Sequence, residues 1–371
     1  MMAIKRHKTK VIKIGNCLIG GSHKIAIQSM AKVRTTDRSR VLGQIKELKE
    51  AGCQIVRLAV KDEADAVALK EIKKKSVLPL VADIHFNWRL AIKAIESGVD
   101  KIRLNPGNIY KKDEVANIAR AAASAGIPIR VGANSGSLRD RRISGADSMV
   151  KSVMDYVRLL EKNKFYDIVL SLKASNIMDT VAAYRHVAKL CDYPLHLGVT
   201  ATGAPYLGTI KSSIALGILL AEGIGDTIRV SLTDKPRQEI AAAASILESL
   251  GLRKFGPQII SCPTCGRCEV DLVKIVKELE KRLRTTNDER RTTGAAPTIA
   301  VMGCVVNGPG EAKEADLGIA FGKKDGLLFI KGKPVKKVKF DSCINVLLSQ
   351  LNTRPYRIGR CALSGQGDPD V

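Results

Sequence analysis

Four cysteines in two short segments are the side chains of this sequence most suited to chemistry. Cys262, Cys265 and Cys268 lie in the segment SCPTCGRC, and Cys304 lies in GCVVNGPGE, which ends at Glu311. Thiolates are soft ligands that select zinc or iron–sulfur clusters. Proline and glycine between them predict a bent backbone, as a bound group requires. The spacing favours a metal centre and leaves open an iron–sulfur cluster, a structural zinc ion or unligated thiols.

The elements before these cysteines follow one repeating pattern. Short β-rich runs alternate with amphipathic helices from about residue 24 to 251, and the predicted strands are 24–29, 55–60, 78–84, 101–105, 129–133, 168–173, 195–200 and 227–232. Eight such units in about 250 residues predict a TIM barrel. The sequence therefore predicts an α/β chain: a TIM (β/α)8 barrel over 1–255, a small α+β domain around the cysteines over 256–351, and a disordered basic tail over 352–371.

Polar and cationic side chains gather at the ends of the predicted strands, where TIM barrels carry their active sites. They are Arg57, Arg103, Asn105, Arg130, Asn134, Lys173, Arg229 and Ser231. Four arginines and a lysine at one mouth would repel each other without an anion between them, and guanidinium groups suit phosphate oxygens. The alternative is a set of salt bridges to barrel carboxylates, but few acidic residues occur at these strand ends.

Composition narrows the class of protein. The 371 residues carry a formal charge of +24, but the basic residues are dispersed and only 4% are aromatic, so we expect no nucleic-acid partner. No apolar run is long enough to span a bilayer, and no hydrophobic signal core follows the basic start, so we expect a cytoplasmic protein without a membrane partner. Nine cysteines, several inside apolar segments, suit a reducing compartment.

Longer motifs resemble one family. SCPTCGR and VMGCVVNGPGEA are similar to motifs of the bacterial 4-hydroxy-3-methylbut-2-enyl diphosphate synthase family, the iron–sulfur enzymes of the non-mevalonate isoprenoid pathway. ADIHF, IRLNPGN, IRVGANSGSL and PLHLGVT resemble its barrel strands. The resemblance implies a 4Fe–4S cluster held by Cys262, Cys265, Cys304 and Glu311, with Glu311 also catalytic. It implies that the eight polar residues of the mouth bind the substrate's cyclic diphosphate.

The implied reaction is the reductive ring opening and dehydroxylation of 2-C-methyl-D-erythritol 2,4-cyclodiphosphate to 4-hydroxy-3-methylbut-2-enyl diphosphate. Two electrons would come from a ferredoxin or a flavodoxin, acidic proteins that a basic surface attracts. The barrel's last helix should end at the floor, so a following domain cannot easily cover its own mouth. This argument and the resemblance both predict a head-to-tail homodimer.

The chain departs from the family pattern in three places. Cys268 is an additional thiolate that competes with Glu311 as the fourth ligand. Ala31-Lys32-Val33 replaces the usual Thr-Asn-Thr, and Ala201 replaces a glutamate, whose role water must fill unless it is dispensable. We also weigh two other classes of protein: a zinc-stabilised RNA-binding protein, and a non-redox barrel enzyme with a structural cysteine module.

Overall fold

The computed structural model describes residues 4–137, 145–200, 202–285 and 297–351. The chain divides into two compact units, Met1–Arg253 and Lys254–Val371. The sequence places this boundary two residues later, after residue 255. The predicted tail over 352–371 and the substituted position Ala201 lie outside the described residues. No helix in the described part of the chain is both long and apolar enough to cross a membrane.

A short hairpin closes the floor of the first unit, as the glycine-rich segment near its start predicts. Strands β1 (Ile12–Ile14) and β2 (Cys17–Ile19) pair antiparallel. Their buried isoleucines pack against the first inward-facing residues of the barrel strands, among them Ile55, Val81 and Val169. An apolar cluster therefore fills the floor of the barrel beneath these strands.

Eight parallel strands then form a closed barrel, which confirms the predicted fold. They are β3 (Ala26–Met30), β4 (Ile55–Val60), β5 (Leu80–Ile84), β6 (Lys101–Leu104), β7 (Ile129–Asn134), β8 (Ile168–Lys173), β9 (His196–Leu197) and β10 (Thr227–Ile228). Strands β3 to β8 pair in sequence, β10 pairs with both β3 and β9, and a bridge from Leu170 to Leu195 closes the ring. The strands are buried on both faces, as helix-covered parallel sheets require.

Eight helices surround the barrel: α1 (Arg38–Glu50), α2 (Glu63–Lys75), α3 (Trp88–Glu96), α4 (Lys112–Ala125), α5 (Gly145–Lys162), α6 (Ile177–Leu190), α7 (Pro205–Ala221) and α8 (Pro236–Ser249). The side chain of Asn87 caps α3 by accepting from the Arg89 amide. Proline opens α7 and α8, where its missing N–H costs nothing. Helix α7 begins at Pro205, because the proline already sets a helical φ.

Several strands change from apolar to polar along their length. Residues two apart in a strand face the same side, so Ile55 at the floor is followed inside the barrel by Arg57, and Val81 by Asp83. Val169 is followed by Ser171 and Lys173 in the same way. Because side chains alternate along a strand, one strand places apolar side chains in the core at its lower end and charged side chains at the mouth at its upper end.

The second unit is a five-stranded sheet with helices. Its strands are β11 (Gln258–Ser261), β12 (Thr298–Met302), β13 (Leu317–Phe321), β14 (Gly326–Ile330) and β15 (Lys333–Val338), and its helices are α9 (Leu272–Thr285), α10 (Gly308–Glu314) and α11 (Cys343–Leu351). Strands β11, β12 and β13 pair in parallel, while β13, β14 and β15 pair antiparallel. Leu279, Ile299, Phe321 and Leu347 lie in its core.

The sequence reading of this unit was wrong in four details. It missed β11, which follows a Gly-Pro pair, and β15, an edge strand whose lysine-rich pattern contains one buried residue. Glu311 was expected in a turn but lies in the first turn of α10. Cys268 was expected at the start of a helix, but α9 begins at Leu272. Strands β11 and β15 form by backbone pairing with β12 and β14. Helix α10 includes Glu311 because a first helical turn accepts proline, here Pro309.

Candidate active site

Five cationic side chains line the mouth of the barrel: Arg57, Arg103, Arg130, Lys173 and Arg229. Arg130 is 1% exposed, and Arg57, Arg103 and Lys173 are each below 10%. Burial lowers the pKa of Arg130 well below its usual value, and Arg57 and Arg103 lower it further. Burial also lowers the pKa of Lys173, and all four arginines act in the same direction. The predicted convergence of these cations is therefore present.

Asp83 compensates part of this charge. Its carboxylate lies 3.1 Å from Arg103 Nη1 and 3.7 Å from Arg57 Nε. Burial alone would raise the pKa of Asp83, but Arg57, Arg103 and Arg130 together lower it to about 2. The alternative of salt bridges to barrel carboxylates therefore holds in part.

A second carboxylate, Glu239, also lies at the mouth and was missed in the sequence. It is 1% exposed in the first turn of α8, 3.9 Å from Arg229 Nε and 2.9 Å from Lys32 Nζ. The expectation of few acidic partners is wrong here, because Glu239 lies on a helix and not at the end of a strand. The first turn of each barrel helix also lies at the mouth, and that position is the signal that identifies Glu239.

The mouth nevertheless keeps an excess of positive charge. Among the described residues, the five cations and Lys32 face the two carboxylates of Asp83 and Glu239. Buried guanidinium nitrogens without a hydrogen-bond partner are Arg103 Nε, Arg130 Nε, Arg130 Nη1 and Arg229 Nε. Each unpaired buried donor costs roughly 1–3 kcal/mol. A bound polyanion would both satisfy these donors and relieve the repulsion.

Lys173 is held beside a neutral histidine. Burial, Arg130 and Lys173 lower the pKa of His196 well below its usual range. Its Nε2 lies 3.4 Å from Lys173 Nζ, and its Nδ1 lies 2.7 Å from Thr227 Oγ1. An ammonium can only donate, so a charged Lys173 requires Nε2 as the acceptor and places the ring proton on Nδ1, towards Thr227. A Cβ at Gly198 would lie 2.7 Å from the Arg229 carbonyl oxygen and 2.7 Å from Lys173 Nζ, and the fixed backbone oxygen explains the glycine there.

The three uncharged residues predicted at the mouth lie at the same ends of the strands. Asn105 follows β6, and its side-chain oxygen accepts from the Gly107 amide, which holds the loop. Asn134 ends β7 directly beside Lys173 of β8. Ser231 follows β10, and its carbonyl accepts from the Thr202 hydroxyl. Their side-chain contacts with a substrate stay a prediction.

Replacing Asp83 by asparagine should lower the free energy of unfolding by about 2 kcal/mol near neutral pH, since the pKa of Asp83 lies below its ordinary value. Because folding lowers the pKa of Asp83, its ionised carboxylate stabilises the folded protein above about pH 4. This contribution is lost as the pH falls towards about 2 and the carboxylate is protonated. Denaturant unfolding of both chains at about pH 6 and about pH 2 measures the difference. If the difference in unfolding free energy between the two chains does not shrink in acid, the ion pairs of Asp83 are contradicted. Asp113→Asn, on the exposed face of α4, is the control.

The ligands predicted in the second unit follow neighbouring strands. Cys262 comes directly after β11 and Cys304 comes two residues after β12, and these strands are parallel partners. The Gly303 amide donates to Cys262 Sγ over 3.3 Å, which places the first sulfur beside the backbone that carries the second. Two thiols predicted as ligands of one group thus lie at one edge of the sheet.

Local hydrogen bonds favour the thiolate form of two of these cysteines. The amides of Asn307, Val306 and Gly308 donate to Cys304 and lower its pKa. The amide and the guanidinium of Arg267 lower the pKa of Cys265 in the same way. Thr264, between Cys262 and Cys265, has a φ of 51°, which is strained for a β-branched residue. Thiolates are the form that binds iron or zinc, so this donor set fits a metal or cluster.

Cys268 differs from the other cysteines of this segment. Its thiol donates to the Val270 carbonyl over 3.2 Å and packs at the edge of the core of the second unit. A Cβ at Gly303 would lie 2.3 Å from Cys268 Sγ, so the glycine makes room for this thiol. Glu311 is exposed on α10. In the described ranges, no three His, Cys, Asp or Glu side chains lie close enough to hold a single metal ion.

Comparison with known proteins gives the same division of the chain. The model of the GcpE TIM-barrel domain matches residues 9–244, and that of the GcpE protein C-terminal domain matches residues 258–353. These two domains cover both units.

Curated relatives match over nearly the whole length. The 4-hydroxy-3-methylbut-2-en-1-yl diphosphate synthase (flavodoxin) of Clostridium perfringens is 49% identical over 94% of this chain and 100% of its own. The proteins of the same name from Lawsonia intracellularis and Caldanaerobacter subterraneus are 49% and 50% identical over 94% and 93% of this chain, and 96% and 97% of their own. The chain therefore belongs to the GcpE family, that of the 4-hydroxy-3-methylbut-2-en-1-yl diphosphate synthases.

Proposed function

We propose that this chain converts 2-C-methyl-D-erythritol 2,4-cyclodiphosphate into 4-hydroxy-3-methylbut-2-enyl diphosphate by reductive ring opening and loss of a hydroxyl group. The observation that carries this proposal is the excess of buried cations with unpaired donors at the mouth of the barrel. Arg57, Arg103, Arg130, Lys173 and Arg229 bind the diphosphate, and Asn105, Asn134 and Ser231 complete the site. The membership of the chain in the GcpE family supports the assignment.

The bound diphosphate is oriented by fixed groups before any bond breaks. Guanidinium groups held by burial and by Asp83 need no reorganisation when the substrate enters. When the C–O bond of the ring opens, negative charge develops on the departing phosphate oxygen. The cations of the mouth stabilise this charge, which is the contribution of the barrel to the reaction.

We further propose that Cys262, Cys265, Cys304 and Glu311 hold a 4Fe–4S cluster. The backbone donors to the sulfurs of Cys262 and Cys304, and the lowered pKa values of Cys265 and Cys304, support this ligand set. When bound, such a cluster supplies the two electrons of the reaction one at a time. Glu311 lies seven residues after Cys304 on α10, and a carboxylate on iron is the ligand most easily displaced.

A flavodoxin is the proposed electron donor. The curated relatives described above carry this donor in their names. The formal charge of +24 favours rapid encounter with an acidic donor. A ferredoxin is the other donor with these properties.

The function is tested by turnover of the purified full-length chain, prepared without oxygen. Iron and sulfide are counted first, which separates a cluster from a zinc ion. The cyclic diphosphate is then added with reduced flavodoxin or, separately, with reduced ferredoxin, and the product is measured by mass spectrometry. We expect product with flavodoxin, and ferredoxin alone supporting turnover would correct the donor. A chain with a full cluster and no product with either donor would overturn the function.

We propose that the chain acts as a head-to-tail homodimer in which each cluster domain serves the partner's barrel. The chain leaves the barrel at the floor, because Arg253 Nη1 donates to the Ile25 carbonyl over 2.8 Å and to Gln54 Oε1 over 2.9 Å. Both acceptors lie at the start of barrel strands, opposite the mouth. The exit point thus supports supply of the cluster by a second chain.

Mixing an inactive Arg103→Ala chain with an inactive Cys304→Ser chain should restore part of the activity. A head-to-tail heterodimer would combine one intact mouth with one intact cluster. Turnover after subunit exchange, followed by mass spectrometry of the intact dimers, measures the effect. Heterodimers that form and stay inactive would contradict the arrangement.

A further inference from the structure

Lys32 makes three contacts that tie together distant parts of the mouth. Its Nζ donates to the Leu232 carbonyl over 2.7 Å and to the Asp234 carbonyl, and it lies 2.9 Å from Glu239 Oε1. Two of these contacts are hydrogen bonds to backbone carbonyls, and the third is an ion pair with the buried carboxylate of Glu239. The charge of Lys32 is therefore directed at Glu239 and at these two carbonyls.

Glu239 lies between Lys32 and Arg229. Its Oε1 accepts from the Leu232 amide over 3.1 Å and forms the ion pair with Lys32. Its Oε2 accepts from the Ser29 hydroxyl over 3.2 Å, while Arg229 Nε stays 3.9 Å away. That separation is too long for a hydrogen bond, and Arg229 Nε has no partner. The carboxylate is thus engaged by groups other than the arginine.

We propose that Lys32 is a positioning residue that neutralises Glu239 and so keeps Arg229 available for the substrate's diphosphate. This inference rests on the proposed function of the mouth as a diphosphate site. Without Lys32, the nearest cation to the buried carboxylate would be Arg229, and a shift of about 1 Å would close a direct ion pair. The diphosphate would then compete with Glu239 for the same guanidinium.

A purely structural Lys32 makes a different prediction. If Lys32 only ties the loop after β3 to the loop after β10, removing Glu239 as well would remove one more anchor, and anion binding would not recover. If Lys32 acts by neutralising Glu239, removing the carboxylate would release Arg229 and restore binding. The effect of removing Glu239 on anion binding by a chain without Lys32 therefore separates the two roles: binding recovers in one case and not in the other.

The experiment is calorimetric titration of the full-length protein with inorganic pyrophosphate. We expect Lys32→Met to weaken binding about tenfold, the range for losing one charged hydrogen bond. Lys32→Met/Glu239→Gln should return the affinity to within about threefold of the wild type, since neither charge remains to compete. Glu239→Gln alone should bind at least as tightly as the wild type. Lys46→Met, on an exposed part of α1, controls for the change in net charge and should have no effect.

Three results would overturn the inference. Wild-type affinity in Lys32→Met would show that Lys32 has no part in anion binding. If the double variant folds and binds pyrophosphate as weakly as Lys32→Met, the contacts of Lys32 are only structural. The double variant is a fair test of folding because it leaves no buried unpaired carboxylate. Wild-type protein that binds neither pyrophosphate nor the cyclic diphosphate would overturn the anion site itself, and with it the proposed function.

Discussion

A Cys304→Ala chain should lose both its iron–sulfur absorption and its turnover, whereas a Cys268→Ala chain should keep both. Cys304 receives three backbone amides that favour its thiolate, and it follows a strand beside the one that leads to Cys262. The Cys268 thiol instead donates a hydrogen bond to the Val270 carbonyl and packs at the edge of the core. The amides around Cys304 support a bound thiolate, whereas the Cys268 sulfur is engaged by its own segment.

The fourth ligand gives the sharper comparison. Glu311→Ala should still assemble some cluster, because three thiolates remain, but it should lose most of its activity. A carboxylate is a hard ligand on soft iron and leaves more readily than a thiolate, which suits a position that must open. A closed four-cysteine site would offer no such position.

Absorption spectra, iron and sulfide counts and turnover of the three variants measure these effects under oxygen-free conditions. Cys343→Ala, at a buried core position outside the proposed ligand set, is the matched control and should keep its cluster. If Cys268→Ala lost the cluster while Glu311→Ala worked normally, the fourth ligand would be Cys268.

Replacing Arg130 by lysine should weaken binding of the cyclic diphosphate by roughly 1–3 kcal/mol, although the charge is kept. Arg130 is 1% exposed, and two of its guanidinium nitrogens have no hydrogen-bond partner. A phosphate group could accept from both nitrogens in a bidentate contact. Lysine offers one ammonium in place of that planar fork. Arg57 and Arg103 already share Asp83, so we expect their lysine variants to lose binding in the same range or less.

The stability of the ligand-free protein should change in the opposite direction. Arg130→Met removes a buried cation with unsatisfied donors, so thermal unfolding of the free protein should occur at a higher temperature than in the wild type. The rise in unfolding temperature that pyrophosphate gives the wild type should be lost in this variant.

Titration with the cyclic diphosphate and thermal unfolding with and without pyrophosphate test both effects. Arg120→Lys on the exposed surface of α4 is the matched control. Wild-type affinity in the lysine variants of Arg57, Arg103 and Arg130 would show that these arginines serve the fold instead.

Local pattern alone determined the architecture of this protein. Strand and helix periods are properties of neighbouring residues, so eight β/α units could be counted and a barrel predicted, and all eight strands are present. In a parallel barrel all strands end at one mouth, which is why Arg57, Arg103, Arg130, Lys173 and Arg229 could be placed together. The motifs around Cys262 and Cys304 gave the family for the same reason, because each is contiguous in sequence.

The tertiary structure alone decided which groups partner these residues. Lys32 contacts a carbonyl 200 residues away, and no period in the sequence links it to Leu232 or Glu239. Strand β11 depends on backbone pairing with β12, about 40 residues later in the chain, and its side chains barely encode this pairing. The direction of the Cys268 thiol depends on the space left by Gly303. Contacts of this kind arise when separate elements pack, and they decide which charges at the mouth are compensated and which stay free for an anion.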